Sequence, residues 1–488
     1  MTNHEDAQDV RDISWWQPVL FAALAGGMAW GIRGQYGHET GAMLAGLLVS
    51  LTLITLLCPK ATLLNTARAV ALATVAMGFG GSMTYGVTVG LTHNPAMVGE
   101  WNALGWGMLG LTIKGSLWIG LCGLFFGMGL GGVRYRWREM FLLMAAMIAA
   151  YALGVYLLNS PFDPDNKALP EITFSSLWYW DPDSNTRPRF ECWGGLSFAL
   201  LTALVYTGLI RGDIMARRIA FWGILGGALG FPAGQSLQAG HAWKADWFLQ
   251  ADVWLLEHNQ MEIFKHFNWW NMMETTFGCI MGASLGLGVW LNRKRIQLAN
   301  PHDGAIMPAW FEGSLLAIHL PLLIGVEFFS VPAIDAVYDL GLALGAIPII
   351  CIIGGRFWPY LVIFPITLIP IAGKTLRQLG YEEGLVSIPL GWGVYVVAPI
   401  VLFVILAFWY AYKPVDKPTG QSFARRALLA TAWMYFLLNY SFFHFPWPWD
   451  EWTTRTPNGI IFTVCIIGLT IAALFLGIKL KKIEPVEE

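Results

Sequence analysis

The sequence predicts an all-α polytopic integral membrane protein, and three observations predict it. The chain of 488 residues is 56% hydrophobic and 13% charged. Apolar runs of spanning length, ~20 residues each, recur from end to end. Lys and Arg alternate between rich and poor connecting segments, as the positive-inside bias requires. Together they give about fourteen transmembrane helices with both termini cytoplasmic, and glycine-rich helical hairpins repeated through the first ~300 residues.

The polar, acidic residues 1–14 run directly into an apolar stretch, so they read as a cytoplasmic N-terminus and not as a cleaved signal peptide. The run 15–58 is about twice the length of one crossing, which divides it into spans 15–34 and 38–58 around a polar turn, GIRGQYGHETG. The next six spans fall at 68–90, 102–132, 139–158, 191–211, 218–240 and 268–292. A basic linker, 293–308, leads to a further set at 309–330, 337–355, 357–375, 388–412, 426–445 and 460–480, and a cytoplasmic tail, 481–488. This count places Arg134, Arg136 and Arg138, then Arg211, Arg217 and Arg218, then Arg293, Lys294 and Arg295 on the inner side, while the outer loop 91–101 has neither Lys nor Arg.

Residues 15–292 read as a membrane core of four hairpins. Gly26-Gly27 and Gly226-Gly227 each open a pattern of two glycines, six residues and Gly-Gln, ending at Gln35 and Gln235. A looser copy starts at Gly80-Gly81. Each ascending helix is followed by a returning one with a charge in its first half: Glu39, Lys114 and Glu274. The hairpin at 139–211 lacks the glycine pair, and Glu191 opens its return. Residues 309–480 are poorer in glycine and carry prolines within the spans, and read as a supporting bundle.

Ionisable groups within spans are costly unless paired or facing a wet cavity. The candidate solute or ion site is therefore Arg33, Gln35, His38, Glu39, Lys114, Gln235, Gln238, Asn271 and Glu274, with Glu191, Trp269, Trp270 and His319 as secondary candidates. Lys114 lies about 18 Å along its helix, which points to a salt bridge with Glu39 or Glu274. The plainer reading is that the glycines only allow close packing and the carboxylates only cap helix ends. For His319, with Glu312 and Glu327 near one stripe, a satisfied buried histidine competes with a proton relay.

Several chemistries find no support. A net charge of −2 supplies no global basic field for nucleic acid. The six cysteines are scattered without a CxxC pair. His38-Glu39 does not begin a zinc-protease motif, because Ala42 stands where the second histidine belongs, and no phosphate loop is present. The irregular spacing of His241, His258 and His266 does not specify a metal site, and no cofactor is indicated.

Function reads first as a secondary transporter, proton- or Na⁺-coupled, for a small polar or polyol-like solute. Loops rich in Trp and Asp, such as 159–190 and 241–267, leave open an enzyme acting on a lipid-linked or glycan substrate with Glu39 or Glu274 as base. A non-catalytic assembly subunit is the third class. The expected partners are a small polar solute or lipid headgroup and membrane lipid, and the expected location is a bacterial inner membrane.

Overall fold

The computed structural model describes residues 13–34, 36, 40–81, 85–159, 192–259, 262–299, 306–329, 331, 342–356, 363–411, 419–443 and 452–476. Among these the chain is helical, with no strand. Eight of the described helices are long and apolar enough to cross a membrane, which fits an integral membrane protein.

The first part comprises α1 (Trp16–Arg33), α2 (Thr40–Leu57), α3 (Leu63–Gly80), α4 (Gly86–His93), α5 (Trp101–Leu130), α6 (Trp137–Leu158), α7 (Trp193–Leu204), α8 (Ile214–Trp243), α9 (Ala245–Asn259) and α10 (Trp269–Leu291). Six of them close into a ring in the order α1, α2, α3, α5, α8, α10 and back to α1. Every neighbouring pair is antiparallel. Along α1 and α10, for example, Pro18 faces Gly286, Gly26 faces Gly278 and Gly34 faces Glu274.

Close approach of backbones explains the glycines. Lipid is as apolar as leucine, so these helices associate through packing, and removing Cβ atoms lets main chains touch. A Cβ on Gly115 would collide with the Gly227 carbonyl, and one on Gly227 with the Gly115 carbonyl. Gly26 and Gly278 stand in the same relation across α1 and α10. The three hairpins that carry the glycine signal therefore supply the six ring helices. The fourth, α6 with α7, packs outside the ring against α5.

The span expected at 68–90 is not one helix. α3 ends at Gly80, and α4 starts afresh at Gly86. Gly80 and Gly81 disfavour continuation, and Tyr85, directly before α4, is 4% exposed. The later helices are α11 (Ala309–Phe328), α12 (Leu342–Gly354), α13 (Ile363–Leu376), α14 (Ile388–Gly391), α15 (Ala398–Ala411), α16 (Gly420–Phe442) and α17 (Thr456–Ile471). Of these, α12, α13, α16 and α17 pack on the outer faces of α1, α2 and α3.

Candidate functional site

Inside the ring, aromatic side chains from four ring helices and from Tyr85 before α4 meet one another. Trp30 meets Trp118 edge-on at 5.0 Å and Phe277 at 4.5 Å; Phe277 stacks on Phe231 at 4.4 Å, and Phe231 meets Tyr85 at 5.0 Å. The Trp118 indole donates to the Met77 carbonyl at 2.8 Å, which ties α5 to α3 and fixes the ring plane.

Polar groups gather directly beyond these aromatics. Arg33, the last residue of α1, forms an ion pair with Glu274 of α10, Nη2 to Oε1 at 3.2 Å, and both are buried. The guanidinium lies near the rings of Trp30, Tyr85 and Trp118 at 4.8, 5.0 and 5.5 Å, the geometry of cation–π attraction. The Tyr85 hydroxyl donates to Glu274 Oε1 at 3.0 Å and also contacts Arg33. The Asn271 amide donates to Glu274 Oε2 at 3.1 Å and to the Gly31 carbonyl at 3.3 Å. Arg455, entering from the turn before α17, donates to Asn271 Oδ1. Burial lowers the Arg455 pKa, and the nearby Glu274 carboxylate works in the opposite sense. A Cβ at Gly34 would lie against the Glu274 carboxylate, so glycine there leaves the carboxylate room beside the end of α1.

The short helix α4 joins three of the sequence-derived candidates. Tyr85 directly precedes α4, and Thr88 and Thr92, four positions apart within it, share a face. Tyr85 reaches Glu274 of α10, Thr88 accepts from Lys114 Nζ of α5 at 2.7 Å, and Thr92 Oγ1 accepts from the Gln235 amide of α8 at 2.6 Å. Lys114 is fully buried. Gly115 faces Gly227 and Gly234 faces Met273, so Lys114 and Glu274 stand about 8 Å apart along the ring axis. The side-chain carbonyl oxygens of Gln235 and Gln238 are buried and accept no hydrogen bond among the described residues.

The ring thus brings together Arg33, Lys114, Gln235, Gln238, Asn271 and Glu274. Arg33 is the cation held against Glu274, a pairing the sequence did not single out. Gln35, His38, Glu39 and Glu191 lie outside the described residues. Trp269 and Trp270 belong to an aromatic layer at the same end of the ring: Trp269 stacks on His241 at 4.3 Å, and Trp270 meets His93 at 5.4 Å. His319 is buried in α11, which packs on α12 and α13 away from the ring. Glu312 accepts the Arg356 backbone N–H at 2.6 Å, and the Glu327 side chain lies outside the described residues.

No protein-family model, curated protein or solved structure matches this chain. The site must therefore be read from its own chemistry. Tyr85, Thr88, Thr92 and Arg455 escaped the sequence reading. Tyr85 sits in GGSMTYG, which was visible as a glycine-rich stretch, but no local pattern announces that a threonine faces Lys114 or that Arg455 returns to α10.

Proposed function

We propose that this chain is a secondary transporter for a small polar or polyol-like solute, coupled to protons or Na⁺, with Glu274, Arg33, Tyr85, Asn271, Lys114 and Gln235 around its solute and ion path. The observation that carries the reading is the segment formed by Tyr85 and α4. Following a break in the helix, Tyr85, Thr88 and Thr92 hold Glu274, Lys114 and Gln235 from three ring helices. Interrupted helices that present side chains at a buried polar site are a recurrent construction in transporter cores.

A proton or cation that neutralises Glu274 removes the charge that retains Arg33. Tyr85 then loses its carboxylate acceptor, and α4 can exchange one set of contacts for another. The orphan carbonyl oxygens of Gln235 and Gln238 offer acceptors to hydroxyl or ammonium groups of a solute. The aromatic rings below, Trp30, Trp118, Phe231 and Phe277, separate this site from the opposite end of the ring in this conformation. In the same reading the chain crosses the membrane about fourteen times. Its termini are cytoplasmic, its glycine-marked hairpins are repeats, and its residence is a bacterial inner membrane.

Reconstitution tests this. Proteoliposomes on a solid-supported membrane, exposed to pH or Na⁺ jumps with a panel of polyols, sugars and amino acids, should give solute-dependent charge displacement that Glu274→Gln abolishes. Currents unchanged by Glu274→Gln would remove this site from the path.

A further inference from the structure

A large cavity lies at the other end of the ring, remote from Glu274. It encloses 1410 Å³ where the start of α3, the end of α5 and the α6–α7 hairpin meet. Five guanidinium-bearing residues line it, Arg68, Arg134, Arg136, Arg138 and Arg211, with one carboxylate, Glu139. Glu139 is committed locally: Arg211 Nε lies 2.9 Å from its Oε1, the Arg136 backbone N–H donates to Oε2 at 2.9 Å, and the Tyr206 hydroxyl donates to Oε1. Among the described residues the lining thus carries more guanidinium than carboxylate.

Part of the lining has a different character. Leu142 on α6 and Leu201 on α7 line the cavity and are 68% and 59% exposed, and Ile210 beyond α7 is 69% exposed. Exposed leucines on spanning helices are surfaces for acyl chains, and these line the same cavity as the arginines. A free soluble anion uses the arginines and leaves the apolar wall idle. An uncharged lipid does the reverse.

We infer that this cavity is a binding site for an anionic phospholipid, its phosphate held by the arginine rim and its acyl chains laid along α6 and α7. Arginine forks suit phosphate oxygens, and basic pockets between membrane helices recognise anionic headgroups by this chemistry. Because Arg68 extends from α3, donating to the Gly355 carbonyl at 3.2 Å, and Arg211 follows α7, the lipid bridges the ring to the hairpin that stands outside it.

The test uses the full chain purified in neutral detergent and titrated with phosphatidylglycerol, phosphatidylcholine or glycerol 3-phosphate, with bound lipid counted by native mass spectrometry and the unfolding midpoint measured in parallel. Phosphatidylglycerol should bind and raise the midpoint, phosphatidylcholine should bind at least about tenfold more weakly, and glycerol 3-phosphate should leave the midpoint unchanged. The exposed pair Arg134→Gln/Arg138→Gln should weaken phosphatidylglycerol by about tenfold or more while keeping the lipid-free midpoint, and Arg134→Lys/Arg138→Lys should recover part of the loss. Leu201→Asn tests the acyl wall separately and should weaken the lipid too. Equal binding of phosphatidylcholine, stabilisation by glycerol 3-phosphate as strong as by the lipid, or undiminished lipid binding by the double glutamine variant would each overturn the assignment.

Discussion

Replacing Arg33 by glutamine isolates the energetic heart of the ring. At 3.2 Å and an effective dielectric of about 20, the attraction between Arg33 and Glu274 has a gross size of about 5 kcal/mol, much of which offsets the desolvation of both ions. Removing one partner leaves the other charge buried, so Arg33→Gln should cost about 3–5 kcal/mol. Glu274→Gln should cost somewhat less, because the rings of Trp30, Tyr85 and Trp118 still hold the guanidinium, each contributing about 0.5–2 kcal/mol. The double variant removes both charges and should fall short of the summed single losses by about 2–4 kcal/mol. The assay is reversible unfolding by sodium dodecyl sulfate in mixed micelles, followed by tryptophan fluorescence. Additivity within about 0.5 kcal/mol would refute the claim that these two residues form one buried pair.

Other expectations follow from the same geometry. Gly227→Ala places a methyl group against the Gly115 carbonyl and should destabilise by about 1–3 kcal/mol, whereas Gly105→Ala, which meets nothing within 4 Å, should be neutral or stabilising by up to about 1 kcal/mol in the same unfolding assay. Thr88→Val deletes one acceptor of Lys114 and should cost about 0.5–1.5 kcal/mol, with Thr88→Ser retaining most of the stability. Asp213 caps α8 through the Ala216 N–H at 2.9 Å and accepts from Tyr135 at 2.8 Å, and burial pushes its carboxyl up. A raised folded pKa means the native state holds the proton longer, so this contribution is complete below the ordinary carboxylate range and lost as pH rises through the raised value; Asp213→Asn should flatten that segment of the stability–pH curve. For topology, cysteine at position 95 should label from outside intact cells, and cysteine at the exposed Arg134 position only after permeabilisation; the reverse pattern would invert the orientation.

Much of the ring was legible because its causes are local. The length of 15–58 forced a hairpin, and glycines at one-turn spacing marked the faces where main chains meet. The cost of a buried charge singled out Lys114 and Glu274. What stayed hidden depends on closure over long separations: α1 meets α10 only once the ring is complete, and the Arg33–Glu274 pair spans 241 positions. Tyr85 carried no charge to announce its role, and the break before α4 looked like glycine-tolerant helix. Asn271 was visible as a polar residue near a helix start, but its partner Arg455, 184 positions away, sits in a turn where arginine is ordinary.

Coupled binding at Glu274 is tested by thermal unfolding of the detergent-purified protein across a panel of pH values, Na⁺ and small polar solutes, run beside Glu274→Gln. A ligand present at ~100 times its dissociation constant adds about 2.7 kcal/mol to the folded state, which is visible as a raised midpoint. A solute together with Na⁺ or protons should raise the midpoint of the wild type and leave that of Glu274→Gln unchanged. A solute that raises both midpoints equally would contradict this, because binding would then be independent of the carboxylate that Arg33, Tyr85 and Asn271 hold.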